Sequence, residues 1–168
     1  MSASTRPPVR FERSYEATVQ DLWDLWTTKD GFESWWGPEG FRVEVTELDL
    51  REGGRLAYEM IADAPDTIAW MKNERMPLSH GTRGVFTRVE PGRLLEILHV
   101  IDFVPGIEPY DNHMLVELFQ EGSTARMVIT IEAHVDDEWT ARSVAGMESQ
   151  LTKVPAALAA RAASASPC

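Results

Sequence analysis

Apolar and polar residues alternate with a period of two over PVRFERSYE, residues 8–16, where Val9, Phe11 and Tyr15 share one parity broken only by Arg13. Successive side chains of a strand point to opposite faces, so this alternation predicts a half-buried strand. From Thr18 the period changes. Thr18 and Asp21 have capping-box spacing, and Val19, Leu22, Trp23 and Trp26 recur at helical spacing, predicting a helix to about Thr27. Asp30 is placed to cap a second short helix, Gly31–Trp36, which must stop at Gly37–Pro38 because proline cannot continue it. FRVEVTELDL and RLAYEMI then flank the turn Arg51–Gly54 as a hairpin. The 62–78 segment opens with Pro65–Asp66 and predicts a helix over Thr67–Arg75, with Ile68 and Met71 on one side. TRGVFTRVE and RLLEILHVIDF flank Pro91–Gly92 as the next hairpin. After a longer loop at PGIEPYD, MLVELFQ and ARMVITIEAHV flank Glu121–Gly122 as the last.

The period of 3.6 returns at the C-terminal end. Asp136 is placed as an N-cap, with Asp137 and Glu138 in the first turn where acidic groups favour the positive end of the helix dipole. Trp139, Val144, Met147, Leu151, Val154 and Leu158 form an apolar stripe on one long helix. Pro155 removes a backbone donor and crowds the turn before it, so the helix should kink or break near Leu151–Val154. Residues after Ala163 are expected to fray.

One strand, two short helices, six strands and a long helix describe an α+β chain with a seven-strand antiparallel sheet. One face of that sheet needs cover, and only the final helix is long enough to supply it. A curved sheet leaves space under such a helix. Lined by Trp, Met, Leu and Tyr with a few polar groups, that space has the makings of a ligand cavity.

Composition narrows the function classes. The 168 residues, 43% hydrophobic and 26% charged, fit one domain over residues 1–168, with a core of about 8–162 and flexible termini. A net charge of −11 leaves no basic footprint for nucleic acid and opposes an anionic membrane. No window reaches the roughly 18 apolar residues a spanning helix needs, and MSASTRPPVR has no secretory character, so no membrane insertion and a cytoplasmic location are expected. The single cysteine, Cys168, permits neither an internal disulfide nor a thiolate metal site. His80, His99, His113 and His134 have no metal-ligand spacing, and although Asp111 and His113 share a strand face, neither metal nor cofactor is expected. Six tryptophans are many for this length, and four of them cluster at Trp23, Trp26, Trp35 and Trp36.

Trp35-Trp36-Gly37-Pro38, Asp49-Leu50-Arg51-Glu52-Gly53-Gly54-Arg55, the run from Gly84 through Val89-Glu90-Pro91 to Arg93-Leu94, Ala125-Arg126-Met127, and Ala145-Gly146-Met147-Glu148 together resemble one family. It is the family of bacterial relatives of the C-terminal domain of the Hsp90 ATPase activator (AHSA-type), within the START-like (SRPBCC) superfamily. The resemblance spans nearly the whole chain. It implies the helix-grip fold, a curved seven-strand sheet around the C-terminal helix, with an internal cavity. It implies no single activity, because the superfamily includes lipid and hormone carriers, polyketide cyclases and an enediyne-inactivating protein.

The candidate cavity residues are Trp35, Trp36, Tyr58, Met60, Glu96, His99, Tyr110, Gly146 and Met147. Adjacent side chains point apart, so one of Trp35 and Trp36 could wall a ring-containing ligand while the other packs outside; alternatively the pair is a hydrophobic plug. Glu96 and His99 have opposite strand parity, so only one of them can face inward unless a bulge intervenes. Tyr58 and Met60 share parity with Leu56. Glu117 has the parity opposite to Val116 and Leu118 and reads as outward. Gly146 costs a helix about 1 kcal/mol relative to alanine, which points to close packing by another element, or to a ligand. Gly53 and Gly54 join strands rather than open a helix, so they form a structural turn and not a phosphate cradle. With no nucleophile elbow, the expected function is binding or sequestering of a small apolar or aromatic molecule. The alternatives are a cyclase- or hydratase-type enzyme using Tyr58, Glu96, His99 or Tyr110, and a modulator of a heat-shock chaperone ATPase. A homodimer is compatible with either.

Overall fold

The structure, a computed structural model, describes residues 6–102, 104 and 106–165, of which 163–165 are described by their backbone alone. The expectations placed on Phe103, on the fraying tail beyond 165 and on Cys168 lie outside the described residues. The elements are β1 Val9–Tyr15, α1 Val19–Thr27, α2 Lys29–Trp35, β2 Phe41–Leu48, β3 Arg55–Ala62, α3 Pro65–Asn73, β4 Ser79–Glu90, β5 Leu94–Ile101, β6 Tyr110–Glu121, β7 Thr124–Ile131, α4 Asp137–Leu151 and α5 Val154–Ala165. The strands form one antiparallel sheet in the order β1-β7-β6-β5-β4-β3-β2. From β2 to β7 every pair of neighbouring strands is consecutive in sequence, β3 and β4 being joined through α3, while α1 and α2 carry the chain from one sheet edge to the other. The sheet curls into a half-barrel around the C-terminal helices, with register irregularities at Val45/Glu47 and Phe86/Arg88 of the kind that bend strands.

Local signals explain most boundaries. Thr18 and Asp21 form the expected capping box, each side chain accepting from the other's backbone N–H. The second helix differs from expectation. Its cap is Thr28, whose extended backbone suits the position and whose hydroxyl accepts from Gly31 N at 3.0 Å, so Asp30 lies inside the first turn. Thr28 also closes α1, and one residue therefore ends one helix and begins the next.

The long C-terminal helix breaks as Pro155 requires, between Leu151 and Val154. At the break the Lys153 ammonium donates to the carbonyls of Gly37 (2.7 Å), Phe41 (3.2 Å) and Pro38 (3.4 Å). That fixes the break against the turn between α2 and β2. Burial pulls the Lys153 ammonium below its usual range, with Glu39 and Asp63 opposing the shift.

The core concentrates where α1, α2 and α5 meet the sheet. Trp26, Trp35 and Trp36 pack edge to face at centroid distances of 4.9 to 5.3 Å, and Phe32 stacks on Trp36 at 4.9 Å. Such pairs contribute about 0.5–1.5 kcal/mol each beyond the area they bury. Their indole N–H groups are satisfied: Trp35 donates to Leu25 O at 2.9 Å and Trp36 to the Tyr58 hydroxyl at 3.0 Å. Trp26 Nε1 lies 3.2 Å from Met127 Sδ.

Two strands extend beyond their apolar runs. β4 begins at Ser79 and β6 at Tyr110, several residues before the stretches TRGVFTRVE and MLVELFQ. The added residues facing the helices are polar, namely His80 on β4 and Tyr110 and Asn112 on β6, so hydrophobic alternation fades while the strands continue.

Candidate functional site

The position of α4 follows from what anchors its ends. At its start the Asp136 carboxylate caps Trp139 N at 2.8 Å, and His134 N donates to the Thr140 hydroxyl at 2.9 Å. Near its C-terminus Gln150 Oε1 accepts from Gly37 N at 2.9 Å and Ser149 Oγ from Glu39 N at 2.8 Å. Hence α4 runs from the end of β7 to the turn before β2, crossing the end of the sheet where β3 and β5 finish and β4 and β6 begin. Tyr58 and Met60 from β3, Thr82 from β4, His99 from β5, and Tyr110 and Asn112 from β6 share the concave face of the sheet at that end. The register sets Tyr58 beside Thr82 and His99 beside Asn112.

His99 is the most unusual of these groups. It is 6% exposed, and among the described residues its Nε2 has no hydrogen-bond partner. Burial pushes the imidazole down to about 4, so it is neutral at pH 7. The Tyr58 ring meets it edge on, at 6.4 Å between centroids. The Tyr58 phenol, pushed up by burial, already accepts a hydrogen bond from the Trp36 indole N–H. Asn112 Nδ2 donates to Glu132 O at 3.0 Å. The Tyr110 hydroxyl lies 2.5 Å from His134 Nδ1; burial raises the phenol and lowers the imidazole.

The remaining candidates divide sharply. Trp35 and Trp36 are both buried in the aromatic core, so neither packs outside, and the pair has the placement of a plug. Glu96 faces the other side of the sheet, where the Thr87 hydroxyl donates to its Oε1 at 2.9 Å. An acid–base pair of Glu96 with His99 is therefore ruled out by strand geometry. Met147 is buried. Gly146 corrects the expectation of close packing: a Cβ built there meets nothing within 4 Å. The residue is partly exposed, and open space rather than a neighbouring backbone stands beside this turn of α4.

Thr82, Asn112 and His134 belong to the same end of the sheet and escape a search for apolar stripes. Strand parity extended outward from Phe86 and Met114 would have found the first two. On the opposite sheet face His113 Nδ1 meets Glu132 Oε1 at 2.7 Å beside exposed Asp111. Among the described residues no three His, Cys, Asp or Glu side chains converge as metal ligands, and no helix is long and apolar enough to cross a membrane. Two open surface hollows, of about 440 and 510 Å³, lie around Tyr15, Asp21, Leu158 and Gln120; neither reaches beneath α4.

Comparison with solved structures finds the same architecture repeatedly. The protein CV1439 from Chromobacterium violaceum is similar at 22% identity, over 90% of this chain and 96% of its own, with a TM-score of 0.76. The AHSA1 protein from Silicibacter pomeroyi is 22% identical over 92% of this chain and 99% of its own, with a TM-score of 0.71. CalU16 from Micromonospora echinospora is 19% identical over 90% and 75%, with a TM-score of 0.62. At these identities the likeness is one of fold, the helix-grip fold. No curated protein matches the chain. Residues 16–159 match the family described as Activator of Hsp90 ATPase homolog 1-like protein, and the chain belongs to that family.

Proposed function

We propose that the protein binds a small apolar or aromatic molecule between the concave face of the sheet and α4, and releases it unchanged. The observation that carries this reading is His99, a buried imidazole on the concave face whose Nε2 has no partner among the described residues. An unsatisfied buried polar atom costs about 1–3 kcal/mol, a cost that a bound hydrogen-bonding group removes. Proteins of this superfamily generally accept small hydrophobic ligands, which supports the same reading.

Turnover of the cyclase or hydratase kind has less support. Of the groups expected to serve as acid or base, Glu96 faces away from the concave side, the Tyr58 hydroxyl accepts the Trp36 indole N–H and the Tyr110 hydroxyl is bound to His134 Nδ1, which leaves His99 alone. Chaperone modulation rests on the family description alone.

Native mass spectrometry of the protein purified from its own host, followed by calorimetry against a library of neutral apolar compounds, tests the proposal. A co-purifying small molecule, or saturable one-to-one binding from the library, is expected. No adduct and no binding would contradict it.

A further inference from the structure

The chemistry beneath α4 restricts what that ligand can be. The helix-facing positions of β3, β4, β5 and β6 at this end carry no carboxylate, ammonium or guanidinium; their polar groups are phenol, hydroxyl, amide and imidazole. A charged ligand group would enter without a counter-charge, at large desolvation cost. The ligand must also satisfy His99 Nε2, which is buried without a partner among the described residues. An imidazole nitrogen donates or accepts according to its tautomer, and a hydroxyl does both, so a hydroxyl serves either tautomer where an ether or ketone serves one. The same end of the molecule already holds a phenol–imidazole hydrogen bond, Tyr110 to His134 at 2.5 Å, while Tyr58 presents a ring edge-on to His99.

We propose that the ligand is an uncharged hydroxylated hydrophobe of phenolic type, its hydroxyl hydrogen-bonded to His99 Nε2 and its ring enclosed under α4. This deepens the proposed function and rests on it.

The full chain and its His99→Leu variant are titrated calorimetrically at pH 7 with 2-naphthol, 2-methoxynaphthalene and 2-naphthoate. The intact protein should bind 2-naphthol about tenfold more tightly than 2-methoxynaphthalene, the worth of one hydrogen bond to a buried group, and should not bind the carboxylate. In His99→Leu the two neutral probes should bind equally well. Should that variant fold poorly, imidazole 15N spectra of the intact protein test the same contact: the His99 Nε2 resonance moves with 2-naphthol and far less with its methyl ether. Equal affinities in the intact protein, a preference that survives His99→Leu, or an unmoved His99 resonance overturns the hydroxyl assignment while leaving the enclosure standing. Tighter binding of 2-naphthoate does the same. If none of the three probes binds, the enclosure itself fails, and the hydroxyl assignment with it.

Discussion

The two halves of the space inside the half-barrel are filled differently. Where α1, α2 and α5 meet the sheet, Trp26, Trp35, Trp36 and Phe32 interlock and the indole protons of Trp35 and Trp36 reach oxygen acceptors. Where α4 crosses the sheet, the strands turn polar on their concave face and His99 Nε2 is unpaired among the described residues. The first half resembles the interior of a protein that need only be stable. The second departs from that rule in one respect that a binding site requires, a buried polar atom left unsatisfied among the described residues. The difference lies between ends of the same strands, since β5 contributes Ile97 to the packed interior and His99 to the polar end.

The contrast is open to direct attack. Replacing Trp35 by Ala should produce the largest effect, a loss of about 3–5 kcal/mol in urea unfolding, because its fully enclosed indole leaves a cavity that the surrounding rings cannot close. A loss under 1 kcal/mol would show that the aromatic end is not tightly packed.

Acid should expose the other half. His99 is held at about 4 in the folded chain against an ordinary value of 6.5, so the unfolded chain binds the proton more readily. Stability is therefore unaffected by this group above pH 6.5 and falls as the pH drops toward 4, by up to roughly 3 kcal/mol. The His99→Leu variant should lose that part of the acid slope and, with a buried unpaired nitrogen removed, be about 1 kcal/mol more stable at pH 7. Urea midpoints at pH 7 and 4.5 measure both; identical slopes for the two proteins would count against the burial of a neutral imidazole.

Two glycines make the finest comparison. A Cβ at Gly31, in the packed half, would stand 2.1 Å from Asp24 O, so Gly31→Ala should cost about 1–3 kcal/mol through overpacking. At Gly146 the same methyl enters empty space, and Gly146→Ala should raise stability by up to about 1 kcal/mol through helix propensity. Thermal melts of the pair should shift in opposite directions.

Much of this division is legible in the chain and part is not. The period-two runs, the Thr18–Asp21 box and Pro155 locate the strands, the first helix and the helix break from local chemistry alone. The opposite parity of Glu96 and His99 correctly allows only one of them inside. The starts of β4 and β6 escape detection because their inward residues are polar, and loss of apolar alternation reads as loop. Thr28 and Asp30 are both competent caps, and only the backbone at Thr28 decides between them. The surroundings of Gly146 depend on how far α4 stands from strands distant in sequence, which no local pattern encodes. The same holds for Trp35 and Trp36, whose adjacency suggests two environments although the core takes both.

The most direct test of an enclosure beneath α4 is a methyl NMR titration of the 13C-methionine-labelled protein with 2-naphthol. Met60 and Met147 flank the proposed space, whereas Met127 lies in the packed half against the Trp26 indole. Saturable shifts at Met60 and Met147 with Met127 unmoved are expected; shifts confined to Met127 or to exposed Met76, or none at all, would contradict the account.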